Sequence, residues 1–223
     1  VSETLSHHAV SAAVTDLGWR YVLDGLRAGV PVESLRAATD VVARIVAGLG
    51  AEADEHVVVD CRPGGVIFTV RSRRTGSVEP GDLDLARRIS ELVTGLGLRI
   101  TADAGPSRSV QALEIAIDAL DTAAIRPFWR EVLGYTDGAG DALVDPAEQG
   151  PAVWFQRMTA PRPQRNRVHL DISVPHDEAP GRVERALAAG GVLRSDRFAP
   201  AFWVLADAEG NEACVSTWQG RDP

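Results

Sequence analysis

Leu113-Glu114-Ile115-Ala116-Ile117-Asp118 and Val168-His169-Leu170-Asp171-Ile172-Ser173 are two short runs in the second half of the chain that echo one another. In the first, Leu113, Ile115 and Ile117 alternate with Glu114, Ala116 and Asp118. In the second, Val168, Leu170 and Ile172 alternate with His169, Asp171 and Ser173. A period of two is that of a strand whose side chains point to opposite faces. Each run therefore predicts a strand with one face for a core and one face offering ionisable groups. If the two copies pack together, those ionisable faces converge.

The segments downstream of the two runs repeat as well. After the first, Asp121 is placed to cap a helix whose apolar face carries Ile125, Phe128, Trp129, Val132 and Leu133, and Gly134 ends it. Pro127 inside that helix marks a late start or a bend. Strands are expected near Ala142–Val144 and Ala152–Met158. After the second run, Asp177 is the expected cap, Val183 and Leu187 lie on the core face, and Gly190-Gly191 stop the helix. Strands near Phe202–Ala206 and Glu212–Trp218 come next, joined by Asp207-Ala208-Glu209-Gly210-Asn211. Two βαβββ copies of this kind make one domain by burying each other's open face.

Upstream the pattern differs. Ser2 to Leu17 is helix-compatible, and Asp24-Gly25 predicts a tight turn between strands at Trp19–Val22 and Leu26–Ala28. Leu35, Ala38, Val41, Ile45 and Leu49 recur at helical steps, with Gly50 as the stop. Strands Val57–Arg62 and Val66–Arg71 flank Pro63-Gly64-Gly65, and a further helix is expected from Asp82 to Leu96. The order predicts an antiparallel sheet with helices on one face. Thr101 to Ser109 is rich in turn formers and reads as a linker. The fold class is thus α+β, with domains at 1–100 and 110–223 and a linker at 101–109.

Composition narrows the function classes. A net charge of −8 with scattered arginines repels phosphate backbones, so nucleic acid is not an expected partner. No apolar run approaches membrane-spanning length, so no membrane partner and a cytoplasmic location are expected. Cys61 and Cys214 are expected as reduced thiols. No nucleotide cofactor is expected.

Leu17-Gly18-Trp19-Arg20, Glu52-Ala53-Asp54-Glu55-His56, Asp60, and Asp82 with Leu85-Ala86-Arg87-Arg88-Ile89 resemble the pterin-4a-carbinolamine dehydratases over about residues 2–97. That resemblance implies a pterin pocket served by three histidines, two adjacent before a proline and one at the end of the next strand. Here the positions hold Glu55, His56, Val57 and Arg73. Arginine stays protonated at any working pH and is no base. Glu55, His56, Asp60 and Arg73 are the expected pterin-like pocket, and support of assembly or passive binding of a pterin-like ligand, rather than dehydration, is the expected role of this half.

Pro127-Phe128-Trp129 through Leu133-Gly134-Tyr135, Trp154-Phe155-Gln156-Arg157, Asn166 to Asp171, and Asp207 to Glu212 resemble the vicinal oxygen chelate superfamily over about residues 110–219. This is the group of glyoxalase I, extradiol dioxygenases and bleomycin-resistance proteins. The resemblance implies ligands for a divalent metal at Glu114, His169 and Glu212, with Gln156 as the fourth rather than Trp154. Such a set would leave metal positions open to substrate, and Glu212 would act as base on a carbon-bound proton. Trp154, Asp171 and Trp203 are the expected substrate pocket. Two readings of function stand at this point: a metal-assisted lyase or isomerase on a small oxygenated molecule, and a non-catalytic binder of a small, antibiotic-like compound. A working pterin dehydratase is a third. Both families imply a homodimer.

Overall fold

The computed structural model describes residues 6–103, 109–161 and 168–220. The chain forms two units, Val1–Ala112 and Leu113–Pro223.

In the first unit, α1 (His7–Thr15) is capped by Ser6, whose hydroxyl accepts from the Ala9 N–H. Ser2 to Leu5 of the expected first helix lie outside the described residues, as do residues 104–108 of the expected linker. β1 (Arg20–Val22) and β2 (Gly25–Pro31) pair antiparallel through a two-residue turn. That turn is Leu23-Asp24, both at positive φ (48° and 54°), and Gly25 already belongs to the strand. The expected Asp24-Gly25 turn is therefore displaced by one residue, because the Val22↔Gly25 pairing closes the hairpin around Leu23 and Asp24.

α2 (Leu35–Leu49) buries Ala38, Val41, Ile45 and Leu49, as its periodicity predicts. A short α3 (Glu52–His56) leads into β3 (Val57–Arg62) and β4 (Gly65–Val70), and α4 (Pro80–Gly95) comes after them. The sheet order is β1-β2-β4-β3. Leu26, Ala28, Val30, Val66, Phe68 and Val70 share a core with Val10, Val14, Ile45, Leu85, Ile89 and Val93. All three long helices thus cover one face, because the apolar residues of β2 and β4 alternate in register. Trp19 is fully buried and donates its indole N–H to Ser90 Oγ at 2.9 Å. Beyond the end of β1, Thr101 continues the sheet by exchanging both backbone bonds with Gly29 at 2.8 Å. A Cβ on Gly29 would stand 1.9 Å from the Asp103 carbonyl oxygen, so only glycine admits this crossing.

The second unit carries the duplication. β5 (Glu114–Ala119), α5 (Thr122–Leu133), β6 (Thr136–Asp137), β7 (Leu143–Val144) and β8 (Ala152–Arg157) form a sheet of order β5-β8-β7-β6. β9 (Leu170–Ser173), α6 (Ala179–Ala188), β10 (Val192–Ser195), β11 (Phe202–Ala206) and β12 (Glu212–Ser216) repeat it as β9-β12-β11-β10. In each copy the first and last strands are parallel neighbours, and the others are antiparallel. β6 and β10 carry little apolar periodicity, and the sequence pattern does not predict them. Asn166 and Arg167, which precede the second run, lie outside the described residues.

Asp121 caps α5 through the N–H groups of Ala123 and Ala124, and Gly134 closes it in the left-handed conformation. Pro127 lies inside the helix rather than at its start. In the second copy the cap position is Glu178, not Asp177, and no side chain bonds there, since Pro180 at the helix start removes one donor. Ile125, Phe128, Trp129 and Val132 join Ile117, Val153, Leu205, Ala213 and Val215 in one core. The chain after α6 comes so close to α5 that a Cβ on Gly191 would lie 2.5 Å from the Phe128 ring.

Between β7 and β8, Asp145 accepts backbone N–H bonds from Ala147, Gln149 and Gly150 at 2.9, 3.0 and 2.7 Å. Burial pushes its carboxyl up, but the three donors outweigh that and hold its pKa below the ordinary value. A depressed folded pKa stabilises the loop fully above the unfolded value of about 4, and that contribution is lost as pH falls through the folded one. The Gly150 amide proton resonance should hold its position from neutral pH to about 4 and move upfield only below it.

Candidate functional sites

At one end of the β3–β4 pair, the Arg71 N–H bonds the His56 carbonyl and the Arg73 N–H bonds that of Glu55, at 2.9 and 3.0 Å. Three of the four expected pterin-pocket residues, Glu55, His56 and Arg73, are brought together by this backbone pairing. His56 Nδ1 lies 2.7 Å from Asp82 Oδ1. Asp82 is fully buried, and its other oxygen accepts the Glu79 N–H at 2.7 Å, closing a capping box at the start of α4. A carboxylate so placed selects the imidazole tautomer and fixes the ring plane. In the sequence, Asp82 stands out only within a family resemblance. The signal that marks its structural role is Glu79-Pro80-Gly81-Asp82, two acidic residues three apart around a helix-opening proline.

Asp60 does not join this group. It lies four residues along β3 from His56, roughly 13 Å at strand rise, and accepts from Arg62 at 2.9 Å.

In the second unit, alternation sorts the side chains by face. Glu114, Trp154 and Gln156 lie on the helix-free face of the first sheet, all exposed, with Ala116 opposite Trp154 and Asp118 opposite Gln156. On the helix-free face of the second sheet, the register Ala213↔Leu170 sets Glu212 beside His169 and Cys214 beside Asp171. Neither cysteine of the chain is in a disulfide.

The expected convergence of Glu114, His169 and Glu212 is not found: among the described residues no three His, Cys, Asp or Glu side chains gather as a metal would need. The reason lies in where the two copies are tied. Glu209 accepts from the N–H groups of Leu120 and Asp121 at 2.7 Å, and Asn211 Nδ2 reaches the Asp118 carbonyl at 3.4 Å. The last residues of β5 are thereby held against the β11–β12 turn. A cavity of about 530 Å³ at this junction is lined by Ala116 and Asp118 together with Glu212. Glu114, at the far end of the strand, is roughly 13 Å from Asp118. Of the expected ligands, this cavity therefore takes in Glu212, with Asp118 rather than Glu114 as the β5 carboxylate beside it.

The turn itself is built on Asp207, which is buried. Its carboxylate accepts the Trp129 indole N–H, the Asn211 amide and the backbone N–H groups of Glu209 and Asn211, each at 2.9 Å. The Asp207–Asn211 motif is thus a structural clasp between the copies.

A second cavity of about 520 Å³ opens on the helix-free face of the second sheet, lined by His169, Asp171, Arg197, Phe202, Val204, Cys214 and Ser216 among others. Phe198 and Phe202 stack with ring centroids 5.1 Å apart, and the Arg197 guanidinium sits 5.4 Å from the Phe198 ring. Of the expected substrate-pocket residues, Asp171 lines this cavity. Trp203 does not: it packs against the core while its neighbours Phe202 and Val204 face the cavity. Trp218 is exposed and donates to His176 Nδ1 at 3.3 Å. Arg197 and Phe198 sit in a segment without periodicity, so no pattern in the sequence singles them out.

A helix-backed antiparallel sheet followed by a paired βαβββ module defines a two-domain α+β protein. The family model described as a glyoxalase-like domain matches residues 114–216. The N-terminal part is 36% identical over 92 residues to a putative pterin-4-alpha-carbinolamine dehydratase from Nocardia farcinica, covering 41% of this chain and 96% of that protein. The chain therefore belongs to the pterin-4a-carbinolamine dehydratase family in its first half and carries a glyoxalase-like domain in its second. Among solved structures, it is similar to a glyoxalase-related enzyme from Fulvimarina pelagi, at TM-score 0.38 and 19% identity over 48% of this chain and 88% of that one. It is also similar to a transcriptional coactivator/pterin dehydratase from Brucella melitensis, at TM-score 0.36 and 17% identity over 40% of this chain and 98% of that one. Among the described residues no helix is long and apolar enough to cross a membrane.

Proposed function

We propose that the glyoxalase-like half binds a small oxygenated molecule on the helix-free face of its second copy, without a metal shared between the copies. The observation that carries this reading is the cavity lined by His169, Asp171, Arg197, Phe202 and Ser216. It combines an aromatic wall with a guanidinium, a hydroxyl and an imidazole. Cavities of this size with a few convergent polar groups suit metabolite-sized ligands. The first half acts as a partner domain rather than a dehydratase, because glutamate and arginine stand where two of the family's histidines would be. The assembly proposed is a homodimer, for which β3 offers an open sheet edge.

The test is a panel of small oxygenated compounds titrated against tryptophan fluorescence, with and without chelator. Binding should be indifferent to chelator and at least tenfold weaker in Arg197→Gln. Stoichiometric metal by elemental analysis, lost in Glu114→Ala or His169→Ala, would instead restore the lyase or isomerase reading with Glu212 as base. A second reading is favoured by one observation, the His56–Asp82 pair. Turnover of a 4a-hydroxypterin that disappears in His56→Ala would establish it.

A further inference from the structure

We propose a second small-molecule site in the first unit, at the hairpin end of β3–β4, that takes a small monocarboxylate with an apolar body. The site is independent of the reading above. It lies six residues along β3 from His56, roughly 20 Å away, so it is also separate from the pterin-like position.

A cavity of about 440 Å³ opens there. Its floor is apolar: Val30 and Val66 are almost wholly buried, and Pro31 and Ile67 extend it. At the tip, Gly64 and Gly65 carry no side chain to fill the space beside the Pro63 ring, and a Cβ on Gly64 would meet nothing within 4 Å. Two guanidiniums stand at the mouth. Both Nε and Nη2 of Arg62 lie 2.9 Å from Asp60 Oδ2. That pair is largely exposed, so it adds little stability, and its effect is to fix the plane of the guanidinium. Arg99 lines the same cavity and has no ion-pair partner among the described residues. A carboxylate accepts two parallel N–H bonds from a guanidinium, a geometry a neutral ligand lacks. Asp60 and Asp103 together offset the two guanidiniums, so no net charge draws a dianion in, and a single carboxylate is selected by the paired N–H geometry of Arg99 instead. This arrangement gives Asp60, left over from the expected pterin pocket, a use as the residue that positions Arg62.

Titration of the full chain with benzoate, followed by amide resonances, tests the site, with benzyl alcohol as the neutral counterpart of the same shape. Expected are saturable shifts centred on Gly64, Gly65 and Ile67, at least tenfold weaker binding of benzyl alcohol, and at least tenfold weaker benzoate binding in Arg99→Gln. Asp103→Asn should tighten benzoate severalfold. No saturable shift at these amides, equal binding of the alcohol, or unchanged affinity in the Arg62→Gln/Arg99→Gln double variant would overturn the proposal. Both arginines are surface residues, so loss of folding does not confound the result.

Discussion

Replacing Asp207 with alanine is expected to destabilise the second unit by about 3–5 kcal/mol, the range for breaking a buried charged network. Four donors converge on this one carboxylate, and two of them, the Trp129 indole and the Asn211 side chain, come from outside the turn's own backbone. The alanine variant leaves the buried Trp129 N–H without its acceptor, and an unmade buried bond costs about 1–3 kcal/mol. It also frees the loop that carries Glu209, whose carboxylate holds the start of α5. Hydrogen exchange will register the loss as faster exchange at β11 and β12 amides, such as Val204 and Cys214, while Phe68 in the other unit keeps its protection. Asp207→Asn retains one acceptor oxygen and should lose about half as much. Equal protection in wild type and Asp207→Ala would mean that the clasp is not what ties the copies together.

The second large effect is expected at Asp82, where alanine should cost about 2–4 kcal/mol, confined to the first unit. Two consequences combine. The α4 N-terminus loses half of its capping box, a change worth about 1 kcal/mol by itself. His56 loses the buried acceptor that holds its ring. Denaturation followed through Trp19, which is buried against Ser90 of the same helix, reports the change directly. Asp82→Asn keeps the cap acceptor and should recover at least half of the loss. A wild-type midpoint in Asp82→Ala would show that the Glu79 N–H and the imidazole are satisfied without it.

The readable part of this fold consists of features set within one element. Leu113 to Asp118 and Val168 to Ser173 alternate at period two, and in the structure Ile115, Ile117, Leu170 and Ile172 face the core while Glu114, Asp118, His169 and Asp171 face away; Leu113 and Val168 precede the strands and are exposed. The helix from Leu35 and the caps at Asp121 and Gly134 are equally legible, because propensity, capping and periodicity are fixed by neighbours in the chain. The short β6 and β10 are not, since two to four residues offer too little pattern to count.

The sites depend on longer distances. Chain order alone shows that Glu114, His169 and Glu212 sit at matching strand positions of two copies, but it contains no coordinate for how one copy meets the other. That coordinate is supplied by Asp207, Glu209 and Asn211, which draw the end of β5 rather than its start to the β11–β12 turn. Asp118, not Glu114, therefore shares a cavity with Glu212. Trp203 faces inward and Phe202 outward for a similar reason: a strand of five residues exposes either face until its partners β10 and β12 settle the register. From its own sequence, this protein determines two α+β units and which side chains share a strand face. Which of those side chains meet is decided by register and by buried hydrogen bonds between distant segments, interactions that exist only once the chain has folded.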